Sequence, residues 1–291
     1  MTLLVKKCTI CEKHAMLLLI WLTVCIKSTT HAFLAPSHIP SVSNRHQVVL
    51  GSQSDSSSAS DTSPSTTTTS LKIDLLALAA SYDRGFGATP AARSKVDDLI
   101  QQLSALNPTT NASLGIGDST FNSFEEQPPI QGCWRMVWTT ALDVLSLAAS
   151  PISTVSAIYQ DIQPPNRAIN IIDLIPRPQA ALPPGFLPTL VRAKVITSTQ
   201  RRNDNRIGLI FERAEIRPLQ ILGVEIPLDA KFIPDVGIDF PNVSMLGGSN
   251  SEDSPGYFDV LYLDEDMLVI AQNEPGGVFV SVKADNTDPF L

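Results

Sequence analysis

The stretch Gly132-Cys133-Trp134-Arg135-Met136-Val137-Trp138-Thr139-Thr140 decides the fold. It reads as a β-strand, in which successive side chains point to opposite faces. On that period Trp134, Met136 and Trp138 share one face, and Cys133, Arg135 and Val137 the other. Gly132 permits a turn or a close backbone approach at the start. Further strand-like runs follow at 154–162, 168–174, 190–197, 206–213, 214–221, 256–263, 267–271 and 278–283. In 190–197, Val191, Ala193, Val195 and Thr197 fall on one face; in 206–213, Ile207, Leu209 and Phe211 do. Asn273-Glu274-Pro275-Gly276-Gly277 supplies hairpin residues between the last two runs. Many short strands without βαβ alternation predict an antiparallel barrel or sandwich over residues 130–284. Closure into a barrel would hide the strand edges and leave an interior.

Upstream, 71–108 reads as a helical hairpin. Leu71, Leu75, Leu76, Leu78 and Ala79 recur at helical spacing. Arg84-Gly85-Phe86-Gly87 interrupts them. Thr89 caps a second helix with Pro90 at its first position, and Val96, Leu99, Ile100 and Leu103 form its apolar face. Asn107-Pro108 ends it, because a residue before proline avoids the α region. A one-sided apolar hairpin must pack on something, and the β domain is the available surface.

Residues 1–32 read as a signal peptide: Lys6, Lys7 and Lys13 precede the apolar run Ala15–Ile26, which is too short to span a bilayer, and Thr30-His31-Ala32 offers a cleavage site. Residues 33–70 are Ser/Thr-rich and poor in acids, as a disordered transit leader would be. Signal peptide, Ala32-Phe33, then a transit-like tract resembles the bipartite leader of algae whose plastids lie inside the endomembrane system. The whole chain carries a net charge of −8, and loss of residues 1–32, with four lysines and one glutamate, makes it −11. That balance argues against nucleic acid, which needs a basic footprint, and makes apolar membrane contact more plausible than basic contact.

Catalytic residue types are scarce. All four histidines lie at or before His46, and Cys133 is the one cysteine beyond the leader. The domain therefore lacks the commonest general base and metal ligand, and no Cys–His nucleophile can form. Asp264-Glu265-Asp266 is the densest carboxylate cluster and reads as a solvated turn. No catalytic residue, metal site or cofactor is expected.

Several motifs occur in an order that resembles the plastid-lipid-associated proteins, or plastid fibrillins, with their lipocalin-like domain. They are Arg84-Gly85, Asn107-Pro108, Gly132-Cys133-Trp134 with Trp138-Thr139, Tyr262-Leu263-Asp264-Glu265, and Gly277-Val278-Phe279-Val280. Gly-x-Trp opening the first strand is also how lipocalin-type barrels begin. Members often carry Arg-x-x-Arg-Gly after the acidic turn; Leu268-Val269-Ile270-Ala271-Gln272 stands here instead.

The resemblance implies a non-enzymatic plastid protein that binds or coats apolar lipid (carotenoid, prenylquinone or acyl lipid) at thylakoid or plastoglobule surfaces. Trp134, Met136, Trp138, Val195, Leu209 and Phe211 are the candidate interior contacts, although the same residues would make an ordinary core. Apolar loops at 142–152, 176–188 and 233–241 either cover the barrel ends or touch membrane or lipid-droplet surface. Leu145, Leu147, Leu182, Phe186 and Leu187 are the candidate membrane contacts. Two alternatives stay open. One is a lipocalin-like enzyme acting on an isoprenoid, with Asp173 or Glu212 as its polar group; the other is a scaffold for plastid membrane complexes.

Overall fold

Helix α1 (Pro64–Ser81) begins the described part of the chain. The computed structural model describes residues 64–121, 127–147, 149–177, 189–227, 236–239, 256–273 and 276–284. The expected signal peptide, the leader up to residue 63, and Leu182, Phe186 and Leu187 lie outside those residues. The helix starts within the tract read as leader, with proline where helices accept it, and Thr67–Ser70 are helical but largely exposed. Burial begins at Leu71 and continues through Leu75 and Ala79.

A single 3₁₀ turn, Asp83–Gly85, reverses the chain into α2 (Pro90–Ala105), whose Thr89 Oγ1 accepts a hydrogen bond from the Ala92 amide at 3.2 Å. Gly85 has φ +94, and a Cβ there would lie 2.4 Å from the Thr139 carbonyl oxygen. Only glycine suits both the backbone angle and that approach. Arg84 reaches the other way and donates to the carbonyls of Ser156 (2.8 Å) and Val155 (3.2 Å). The Arg-Gly pair thus joins helices to sheet.

The strands are β1 (Gly132–Thr139), β2 (Ser153–Gln163), β3 (Arg167–Pro176), β4 (Leu190–Arg201), β5 (Arg206–Ile221), β6 (Val224–Glu225), β7 (Val236–Asp239), β8 (Tyr257–Leu263), β9 (Met267–Gln272) and β10 (Gly277–Lys283). A short helix, α3 (Leu142–Leu147), follows β1. The runs 206–213 and 214–221, read as two strands, are one, kinked by a bulge at Glu212. The described strands form one antiparallel sheet in the order β4-β3-β2-β1-β10-β9-β8-β5-β6, and β4 also pairs β5, so the sheet returns on itself as a barrel-like ring. Closure is uneven. β5 pairs β8 only over Arg206–Gly208, then pairs β7 over Arg213–Ile216.

Bulges decide which side chains enter the ring. Between β1 and β10, Met136 lies opposite Ser281 and Trp138 opposite Val280, so Val137 is an extra residue and the alternation flips. Trp134 and Met136 therefore face inward, while Trp138 faces out. The expectation that both indoles share a face is overturned by that one inserted residue. A second bulge, at Leu261, likewise sends Val260 and Leu263 inward and Tyr262 outward.

Two cores result. The interior joins Trp134, Ile162, Ala168, Ile207, Leu209, Phe258, Val260, Leu268 and Ile270 from around the ring. The outer core packs the apolar faces of α1 and α2 on Trp138, Tyr262, Met267, Val269 and Val280. Burial of that stripe holds the helices down; each fully buried large apolar side chain contributes roughly 1.5–3 kcal/mol.

A ring plugged at one end: the candidate functional site

One end of the ring is plugged by the segment between α2 and β1. Ala112, Ile116 and Ile130 enter the interior core. The Gly117 amide donates to the Pro165 carbonyl at 2.7 Å, the Ser113 amide to the Asp204 carbonyl at 2.9 Å, and Ser113 Oγ to the Asn203 carbonyl at 2.7 Å. These bonds pin the plug to the β2–β3 and β4–β5 turns. Trp134 closes against it: its indole Nε1 donates to the Ile130 carbonyl at 2.9 Å, and Lys283 Nζ sits 4.4 Å from its ring centre. Burial pushes the Lys283 ammonium below its usual value.

Away from the plug, the described part of the interior is lined by cross-strand rows of side chains. Cross-strand pairing puts Trp134, Gln160, Asn170, Val195 and Ala214 on one inward-facing row. Met136, Val195 and Leu209 are buried on this surface. Phe211 lies opposite the buried Thr197, so it faces inward, yet it remains 37% exposed. It stands where β5 has left β8 and not yet met β7, a break in the pairing of the described strands.

Of the six candidate interior residues, the ring brings five onto its inner surface: Trp134, Met136, Val195, Leu209 and Phe211. Trp138 belongs to the helix-covered core, where its indole N–H has no hydrogen-bond partner. Of the candidate membrane contacts, Leu145 is half-buried. Leu147 is buried. Residues 142–147 form a helix, and five positions at about 100° each turn Leu147 about 140° from Leu142. Leu142, which opens the apolar run read at 142–152, is 74% exposed at the head of that helix.

Sequence reasoning also missed the inward-facing amides. Gln160 Nε2 donates to Asn170 Oδ1 at 3.3 Å, a polar pair on an otherwise apolar row. The signal was present: Asn170 interrupts the face otherwise made by Ala168, Ile172 and Leu174. Asp173, a candidate for chemistry, is on the opposite face, where Arg192 Nε and Nη2 bind its two carboxylate oxygens at 2.7 and 2.8 Å. Glu212 is the exposed bulge residue of β5.

The acidic turn is only partly solvated. Asp264 is shielded, accepts hydrogen bonds from the Tyr262 hydroxyl and the amides of Asp266 and Met267, and pairs with Lys72 of α1. Burial would raise its carboxyl, but these donors outweigh it and hold the group below the usual carboxylate range. Burial, then the neighbouring Asp264, pushes the Tyr262 phenol up. Asn107 and Thr109 grip the same turn: Asn107 Oδ1 accepts from the Leu263 amide at 3.0 Å, and Thr109 Oγ1 donates to the Leu263 carbonyl at 2.7 Å. Glu265 and Asp266 are exposed, as expected of a turn.

Among the described residues, fold and site together define a barrel-like β-ring with an apolar interior, plugged at one end and flanked by a helical hairpin. The PAP_fibrillin family model matches residues 69–282, from α1 to the end of β10, and the chain belongs to that family. The family is one of plastid lipid-associated proteins, generally structural rather than enzymatic, and it implies a plastid location. No curated protein and no solved structure matches the chain.

Proposed function

We propose that this protein binds an apolar lipid or isoprenoid in the ring interior, works at a thylakoid or plastoglobule surface, and catalyses no reaction. The observation that carries the reading is Phe211: an aromatic side chain that faces the interior and is still 37% exposed, between the stretches where β5 pairs β8 and β7. An exposed inward aromatic leaves apolar surface that a lipid chain would remove from water, at roughly 25 cal/mol per Å². Met136, Val195 and Leu209 continue that surface inward. Carotenoid, prenylquinone and acyl lipid share the required chemistry. Neither carboxylate considered for catalysis supports an enzyme: Asp173 is tied to Arg192 on the other face, and Glu212 sits on a bulge. Delivery through a signal peptide at 1–32 and a transit leader after it completes the reading; N-terminal sequencing of the plastid protein tests it.

Mass analysis of lipid extracted from protein purified from native plastids tests the binding. Lipid at near one equivalent is expected, falling about tenfold in Phe211→Ser. Protein that carries none overturns interior binding.

A further inference from the structure

The β5–β6 hairpin ends in Ile221-Leu222-Gly223-Val224, with Ile221 paired to Val224 across a two-residue loop. Leu222 has φ +47 and Gly223 φ +80, so both loop residues are left-handed, as in a type I′ turn. Glycine suits the second position. The first favours Asn, Asp or Gly, and a leucine there is strained. It is also wasted by ordinary folding logic, because it packs on little: Leu222 is 57% exposed, Val224 67% and Ile221 36%. From Pro218 to Val224 the strand and turn carry no charge, in a chain of net −8.

The tip is nevertheless held firmly. The Leu222 amide donates to Thr189 Oγ1 at 3.2 Å, Gln220 Nε2 to the Gly223 carbonyl at 3.3 Å, and the Ile226 amide to the Leu219 carbonyl at 2.8 Å. The position is also telling. Gln220 pairs with Leu190, the first residue of β4, so the tip lies at the ring end away from the plug. Thr139, which ends β1 and leads into exposed Leu142, and Gly277, which begins β10, lie at that same end.

We infer that this hairpin tip is a lipid-surface wedge: Leu222 and Val224, with Ile221 behind them, enter the acyl region of a lipid layer and set the end of the ring away from the plug toward it. This rests on the lipid-surface part of the proposed function and names the contact. A convex tip of three side chains is far smaller than the roughly 800 Å² per partner of a stable protein interface, whereas shallow insertion needs only a few apolar groups on a rigid support. Because the contact is apolar, it is insensitive to salt.

The test uses Leu222→Asn and Leu222→Asn/Val224→Thr in the mature chain, floated with phosphatidylcholine vesicles at low and high salt. Asparagine suits the turn, so the variants keep or gain thermal stability while flotation falls at least tenfold at either salt. Loss of stability together with flotation would make Leu222 a structural residue and overturn the wedge. Wild type and variants floating alike would overturn the wedge and leave lipid-surface association standing. Wild type that never floats would overturn both, whereas lipid retained in its interior would still support interior binding. A wild-type dimer that the variants lose, with flotation unchanged, would assign the tip to a second copy of this chain instead.

Discussion

Trp134 and Trp138 stand four residues apart on β1 and serve different cores. Trp134 looks into the ring, fully buried, with its N–H bound to the Ile130 carbonyl of the plug. Trp138 looks outward under α1 and α2, equally buried, with its N–H unpaired. The difference teaches that the sheet has two apolar faces here: one lines the interior of the ring, while the other is consumed by the protein's own helices. It also explains why the helix-covered face carries polar ties at its margins, through Arg84 at one end and Asp264 with Lys72 at the other. Apolar contact alone does not fix how a helix pair sits on a sheet; directional bonds do.

The sharpest way to break that comparison is at Gly85. Gly85→Val places a β-branched side chain at φ +94 and drives its Cβ into the Thr139 carbonyl. A loss of about 3–5 kcal/mol is expected in urea unfolding, with helix amides exchanging before ring amides. Next come the two indoles. Trp134→Phe is expected to cost about 1–2 kcal/mol more than Trp138→Phe, because the first strands the Ile130 carbonyl while the second removes a donor that has no partner. Equal losses would mean that the two indoles are held alike. Arg84→Gln removes the bonds to the Ser156 and Val155 carbonyls and is expected to cost about 1–2 kcal/mol, read as faster exchange in α1 and around Val155 and Ser156 of β2.

The smallest effect is with pH. The Asp264 carboxyl is depressed in the folded protein. Its contribution is therefore complete above the unfolded carboxylate value of about 3.9 and is lost as pH falls through the lower folded value. Exchange in α1 should rise over that acid range before the ring opens, and Asp264→Asn should flatten the dependence. An α1 equally protected on both sides of that range would show that the tie to Lys72 adds nothing.

Much of the fold was readable along the chain. Thr89-Pro90 marked the start of α2, and Arg84-Gly85 marked the break before it. The alternation in β4 correctly put Ala193, Val195 and Thr197 on one face, because no irregularity interrupts that stretch against β3. The start of α1 was missed since Thr and Ser lower helix propensity without forbidding a helix that begins on proline. Asp264 was misread because a carboxylate in a turn looks solvated until the lysine and tyrosine that approach it are known.

What the amino-acid order determined by itself was local: helices where apolar residues recur at their period, strands where they alternate, breaks at glycine and proline, and a domain without histidine beyond the leader. Which face each strand turns inward was decided only by tertiary pairing. A bulge at Val137, Ser156, Glu212 or Leu261 is a mismatch in count between two strands distant in sequence, so neither strand records it alone. One extra residue reverses every side chain beyond it, and that reversal gave Trp134 to the interior and Trp138 to the helices.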